Sequence, residues 1–411
     1  MNPKPLTFLL LACMTLQARH ARAQDWPQFL GPTRNGVYAG GDVASSFPKS
    51  GPLVVWKKTV GQGFSSPVVA EGKLILFHRL ANKETVECLE ADSGKSVWSF
   101  DYSTSYRDDF GFDEGPRSTP VIASGRVYTF GAEGALHCLE LATGKKLWSV
   151  DTHDRFRVRK GFFGAACSPL VEGDLVVLNI GGELRSGLVA FNKDTGQVAW
   201  TAGDDEASYS SPVAATIRGA RFLFFFTRGG LVAADPANGK IRFQFPWRAR
   251  MQASVNAAAP LVIGDRVFIS ASYQTGAALL EVLGDGVRKL WSSDDVLSSH
   301  YATSVVHKGF LYGFHGRQEH GPSLRCADLE NGKVIWNVDQ FRAGTITLAG
   351  DQLIVLKEDG ELILAPASVK EFRAVARGKI LPGTVRAYPA LARGFLYARN
   401  EGTLACVNLK R

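Results

Sequence analysis

Ser65-Ser66-Pro67-Val68-Val69 returns as Ser118-Thr119-Pro120-Val121-Ile122, as Cys167-Ser168-Pro169-Leu170-Val171 and as Ser210-Ser211-Pro212-Val213-Ala214. Weaker copies stand at Ala258-Ala259-Pro260-Leu261-Val262, Ala302-Thr303-Ser304-Val305-Val306, Thr345-Ile346-Thr347-Leu348 and Ala387-Tyr388-Pro389-Ala390-Leu391, which makes eight. Pro67, Pro120, Pro169, Pro212 and Pro260 are separated by 53, 49, 43 and 48 residues. Such a period marks one supersecondary unit repeated along the chain.

A second mark recurs within each period. Asp92-Ser93-Gly94-Lys95 leads to Trp98, Thr143-Gly144-Lys145 to Trp148, Asp194-Thr195-Gly196 to Trp200 and Asn331-Gly332-Lys333 to Trp336, with Trp four residues after Gly each time. Asn238-Gly239-Lys240 has Phe243 in that place, and Asp285-Gly286 reaches Trp291 with one extra residue. Asp-Gly, Asn-Gly and Thr-Gly between apolar runs are hairpin signals, because such turns need positive φ. Between the marks the chain alternates with period two, as in Gly72-Lys73-Leu74-Ile75-Leu76-Phe77 and Gly125-Arg126-Val127-Tyr128-Thr129-Phe130. Each period therefore reads as four short antiparallel strands, and the fold as an all-β, eight-bladed β-propeller.

The ends say how the ring closes. Leu53-Val54-Val55-Trp56-Lys57-Lys58 carries a Trp strand with no three strands before it, and residues 387–409 carry three strands and stop where the next Trp strand is due. The N-terminal strand is expected to complete the C-terminal blade, which removes two exposed edges. An open solenoid would not explain the split repeat. Residues 51–411 then form a single propeller domain, preceded by an extension over 24–50.

Residues 1–23 read as a secretory leader. Lys4 gives the basic start, Leu6 to Leu16 an apolar stretch of 11 residues, and Ala21-Arg22-Ala23 the small-x-small cleavage site. A rival cut at Leu10-Leu11-Ala12-Cys13 would leave a lipidated Cys13 and an outer-membrane lipoprotein. Either way the protein is expected to be periplasmic or secreted. No later apolar run approaches the ~18 residues of a membrane span. The formal charge is +8, and removing Lys4, Arg19 and Arg22 leaves +5. Scattered basic residues at that level argue against nucleic acid as a partner.

The turn-Gly-Lys-x-x-x-Trp pattern resembles the tryptophan-docking repeat of pyrroloquinoline-quinone (PQQ) type propellers. Asp25-Trp26-Pro27-Gln28-Phe29-Leu30-Gly31-Pro32, with Asn35-Gly36, is similar to the opening of exported PQQ-like repeat proteins. The resemblance covers about 25 to 411. It implies the fold, and one such fold hosts quinone dehydrogenases, the scaffold lipoprotein of outer-membrane β-barrel assembly and many proteins of unknown role. The family's dehydrogenases have adjacent disulfide-bonded cysteines, a Ca²⁺ site and an Asp base, and this chain has no Cys-Cys pair. No cofactor or metal is therefore expected, with PQQ and Ca²⁺ as the alternative. The expected role is a monomeric, non-catalytic binding or scaffold propeller serving a cell-envelope protein partner or a small anionic ligand. The alternatives are a PQQ-dependent oxidoreductase of alcohols or sugars, and a carbohydrate- or peptide-interacting accessory propeller.

Cys88, Cys138, Cys326 and Cys406 hold one position of the third strand, which Ala190 and Ala233 hold elsewhere. A slot filled by Cys or Ala wants a small apolar side chain, so these thiols are expected free. Two insertions stand out: Tyr102 to Pro116, carrying Asp108, Asp109, Asp113 and Glu114, and Asp151 to Gly164, carrying Arg155, Arg157, Arg159 and Lys160. They are expected either to bridge each other or to form a binding rim. His315 and His320 share a loop without a closed metal spacing, and His300 stands where it can reach the channel. No residue is identified as catalytic. The residue three places before each proline slot should face the channel: Phe64, Arg117, Ala166, Tyr209, Ala257, Tyr301, Ala343 and Arg386. Of these, Phe64, Arg117, Tyr209, Tyr301 and Arg386 are the expected ligand-binding set. Two guanidinium forks converge near Phe64 to take an anionic planar ligand or a carboxylate. The competing expectation pairs each arginine with a local carboxylate such as Glu114.

Overall fold

A computed structural model describes residues 24–411. The expected leader, its cleavage site at Ala23 and Cys13 lie outside the described residues. The chain builds eight antiparallel sheets of four strands in sequence order, the seventh widened by one further strand. In the first blade these are Val68–Ala70, Lys73–Leu80, Lys83–Glu90 and Ser96–Ser103. The inner strands of blades 2 to 8 are Val121–Ala123, Leu170–Glu172, Val213–Ile217, Leu261–Ile263, Val305–His307, Gly344–Ala349 and Ala390–Ala392. Every one follows a copy of the proline mark or overlaps it. Middle strands are buried on both faces, whereas an outer strand such as Leu53–Thr59 alternates between exposed and half-buried positions.

Closure follows the split repeat. Leu53–Thr59 pairs antiparallel with Thr403–Asn408, placing Trp56 opposite Cys406 and completing blade 8. The tryptophan mark is a joint between neighbouring blades. The indole N–H of each outer-strand Trp donates to a carbonyl in the next blade's outer turn: Trp56 to Ala91, Trp98 to Leu141, Trp148 to Lys193, Trp200 to Pro236, Trp291 to Leu329 and Trp336 to Ser368, all at 2.8–3.1 Å. In the first five of these the indole also lies against that turn's glycine. A Cβ on Gly94, at φ +68, would sit 2.8 Å from the Trp56 ring. Glycine is therefore required twice over, by the left-handed turn and by the ring above it. The third-strand Cys and Ala residues face this joint, and Cys88, Cys138, Cys326 and Cys406 are buried free thiols.

The proline mark is a second joint, closer to the axis. At four slots the Ser or Thr before the proline position accepts from the backbone N–H of the same slot one blade back. Ser66 N–H donates to Thr119 at 3.2 Å, Thr119 N–H to Ser168 at 2.9 Å and Ser168 N–H to Ser211 at 3.0 Å. Ala259 N–H donates to Thr303 at 2.9 Å, and Thr303 N–H reaches past blade 7 to the hydroxyl of Tyr388 in blade 8. Buried backbone donors that the sheets do not use are thereby satisfied around the channel.

The extension runs into this channel. Trp26, 1% exposed, bridges to Val69 of blade 1, and Pro27 O accepts from Ile122 of blade 2 at 2.8 Å. Arg34 reaches Ser168 O and Pro169 O of blade 3 at 3.2 and 3.0 Å. Leu30 packs with Ala259 of blade 5, Gly36 approaches Val305 of blade 6, and Val37–Tyr38 pairs in parallel with blade 7. Asp25 pairs with Arg393 of blade 8 at 3.1 Å. Leu30 and Arg34 take left-handed backbone, at φ 59 and 54. That conformation is uncommon for non-glycine residues, and here the contacts of several blades hold it. The channel is thus stoppered from the side of the inner-strand hairpin turns.

Candidate functional site

At the opposite end the channel opens into a cavity of about 190 Å³. Phe64, Arg117, Ala166, Tyr209, Ala257, Tyr301 and Arg386 all line it, so seven of the eight ring positions meet there, including the five expected ligand residues. Ala343 does not: its carbonyl accepts from Glu358 N–H, and Ala343 is buried. Ser66, Thr119, Ser168 and Ser211 of the inner joint lie deeper, and Phe29 of the extension contributes from below. Phe112, Phe163, Val255, His300, Gln318 and Tyr388 complete the wall.

The two arginines flank Phe64, each with its guanidinium carbon 5.5 Å from the ring centroid. Their chemistry differs. Both terminal nitrogens of Arg117 are spent: Nη1 donates to Tyr106 Oη at 3.4 Å and Phe163 O at 3.2 Å, Nη2 to Asp108 Oδ1 at 3.2 Å and Asp113 O at 3.1 Å. The carboxylate beside it is Asp108 rather than Glu114, which instead pairs with Arg79 and Arg107. Loop contacts of this kind have no period, and the sequence offers no way to rank the four acids. Arg386 is held only through Nε, which donates to Glu358 Oε1 at 3.0 Å. The same oxygen accepts from Tyr301 Oη at 2.7 Å. Burial and the nearby Glu358 carboxylate raise the Tyr301 phenol well above its ordinary range, so it stays a donor. Nη1 and Nη2 of Arg386 have no hydrogen-bond partner among the described residues.

The two insertions bridge over the mouth. Lys160 pairs with Asp109 at 2.5 Å, and Phe110 packs at a tilt against Phe163, 5.2 Å between centroids. A short helix, Thr152–Phe156, opens the basic insertion, with the Asp151 side chain accepting from Asp154 N–H. Of the basic residues, Arg159 pairs with Glu183, while Arg155 and Arg157 are exposed with no ion pair among the described residues. His300 is engaged at both ring nitrogens, with Tyr273 Oη at Nε2, 2.7 Å away, and Gln318 at Nδ1. Burial lowers its pKa and keeps it neutral. Below the ring, Cys167 is buried and its thiol is pushed up to about 11, which removes thiolate reactivity. Sequence reasoning missed Phe29, Phe112 and Glu358, because none stands in a repeat slot.

A family model described as outer membrane protein assembly factor BamB matches residues 82–338. The chain belongs to this PQQ-like repeat family. Among solved structures, BamB from Moraxella catarrhalis is 15% identical, with 87% of this chain and 98% of that one covered at a TM-score of 0.63. The quinohemoprotein alcohol dehydrogenase from Comamonas testosteroni is 14% identical, with 97% and 82% covered at a TM-score of 0.67. A europium-containing methanol dehydrogenase is 10% identical, with 95% and 92% covered at 0.56. No curated protein matches the chain in sequence. At these identities the structural likenesses carry the fold alone. The Ca²⁺ that the dehydrogenase branch implies does not fit the residues lining the cavity. A hard cation such as Ca²⁺ takes six to eight oxygen ligands, carboxylates among them, and no Asp or Glu lines the cavity.

Proposed function

We propose that this protein is a non-catalytic binding propeller of the cell envelope, exported by its leader, which takes its ligand or partner at the channel mouth. The observation that carries this reading is the makeup of the cavity: aromatic walls and one guanidinium with unused donors, without a group set for chemistry. His300 is committed at both nitrogens, Cys167 is protonated below the ring, and the neighbouring carboxylates Asp108 and Glu358 are tied to arginines. General acid–base or nucleophilic catalysis needs at least one such group free to reach substrate. Membership of a family named for an assembly factor supports the envelope setting.

Purified protein incubated with PQQ and Ca²⁺ should show no dye-coupled oxidation of alcohols or sugars above buffer, and turnover would establish the oxidoreductase alternative instead. In the same preparations, Ala257→Trp fills the mouth. Native mass spectrometry should find a bound molecule or peptide retained by the wild type from envelope extract and missing from the variant. Equal retention by both would put recognition elsewhere on the propeller.

A further inference from the structure

We infer that the channel mouth binds an aromatic ring that carries a carboxylate, with the ring between the phenylalanines and the carboxylate on the outer fork of Arg386. The inference rests on the binding role just proposed and names its ligand class.

Size and lining define the ring. A buried site of ~150 Å³ holds benzene, and this cavity offers about 190 Å³. That suits one ring with a short substituent. Its walls are Phe29, Phe64, Phe112, Phe163, Tyr209 and Tyr301, and such surfaces favour offset or edge-on contact with a further ring. The lining below the ring carries the hydroxyls of Ser66, Thr119, Ser168 and Ser211 but no cationic side chain, so the countercharge for an acid lies at the ring.

Arg386 defines the substituent. Its Nε is fixed by Glu358, its flat face rests 5.5 Å from the Phe64 centroid and 5.2 Å from that of Phe112, and its side chain is 22% exposed. With Nε tied back, Nη1 and Nη2 form an end-on pair of donors whose spacing matches the two oxygens of a carboxylate. Arg117 has no such pair left. It fastens the two insertions, which the notion of two converging forks does not anticipate. Glu358 is therefore a positioning residue with a cost: it aims the fork, and its charge opposes the incoming carboxylate. Tyr301 donates to that same Glu358 oxygen and softens the opposition.

The ring acid can come from a small molecule or from a peptide ending in an aromatic residue, and the experiment separates the two. Calorimetry would use phenylacetate, its neutral isostere phenylacetamide, a peptide ending in Phe with a free carboxylate, and the same peptide amidated. Phenylacetate should bind the wild type at least tenfold more tightly than phenylacetamide. Arg386→Ala should erase that difference, Arg386→Lys should restore part of it, and Glu358→Gln should strengthen acid binding. Tighter binding of the free-acid peptide than of phenylacetate identifies a chain terminus, and binding of phenylacetate alone identifies a small acid. Equal affinity for acid and amide, no binding of any acid by the wild type, or unchanged acid binding in Arg386→Ala overturns the inference. If envelope material is still lost from Ala257→Trp in that event, the binding role stands and only the ligand class fails.

Discussion

The two ends of the central channel are built from the same eight strands and treated in opposite ways. At one end the extension spends its side chains on the blades: Trp26 is buried, Tyr38 accepts from Gly394, and Asp25 meets Arg393. At the other end the ring residues face open space, and Arg386 keeps two nitrogens uncommitted. A propeller channel is a through-hole by construction. Stoppering one end turns it into a cup with a single approach, and the free donors lie on the side that remains open.

The largest effect should come from breaking the ring that both ends share. Deleting residues 51–60 removes the outer strand of blade 8 and the Trp56 joint, leaves Thr403–Asn408 as an open edge, and should cause aggregation. A soluble monomer with unchanged thermal unfolding would show that closure does not depend on this strand. Next comes the stopper. Trp26→Ala should cost about 3–5 kcal/mol in chemical denaturation, as for other large-to-Ala changes in a packed interior. A third variant divides the mouth itself. Arg117→Ala should cost about 1–3 kcal/mol through its lost hydrogen bonds and raise hydrogen exchange in 105–116 and 159–164, whereas Arg386→Ala, which loses the one bond to Glu358, should cost less and leave exchange in those segments unchanged. Equal losses from the two arginines would erase the distinction drawn between them.

Acid should act on the mouth more than on the stopper. Burial lowers His78 to about 3 and His137 to about 4 in the folded chain. The unfolded chain takes up these protons near ~6.5, so it binds more protons than the native state between about 4 and ~6.5. Stability therefore falls as pH drops through that window. Hydrogen exchange should rise first around Gly61, whose N–H donates to His78, and around His137, which packs 4.4 Å from the Tyr102 ring. Uniform loosening that reaches Trp26 at the same pH would contradict this.

These contrasts also mark where sequence is informative. The Gly-to-Trp spacing repeats because every joint between blades poses the same steric problem, so periodicity exposes it and gives blade number, closure and the buried thiols. The channel ring was legible for the same reason, since Phe64, Arg117, Tyr209, Tyr301 and Arg386 occupy one repeated slot. The extension was not. It touches blade after blade through a different contact each time, a backbone bridge at Trp26, a guanidinium at Arg34 and a parallel pair at Val37, so nothing repeats. Glu358 was equally hidden, as one acid among many on a turn, and its importance comes only from sharing an oxygen between Tyr301 and Arg386.

The stopper also sets an order of assembly. Residues 24–59 are the first of the described chain to be made, yet their partners include Val69, Ile122, Ser168, Leu348, Arg393 and Asn408, spread over nearly the whole length. They can settle only after the blades have gathered into a ring. The earliest segment is thus the last to find its place, and its docking converts a chain of separate neighbour-to-neighbour joints into one object. An open repeat array keeps two terminal repeats, whereas here the first strand of the propeller pairs with its last. Melting should accordingly be a single cooperative step, with the first and last residues of the propeller losing protection together.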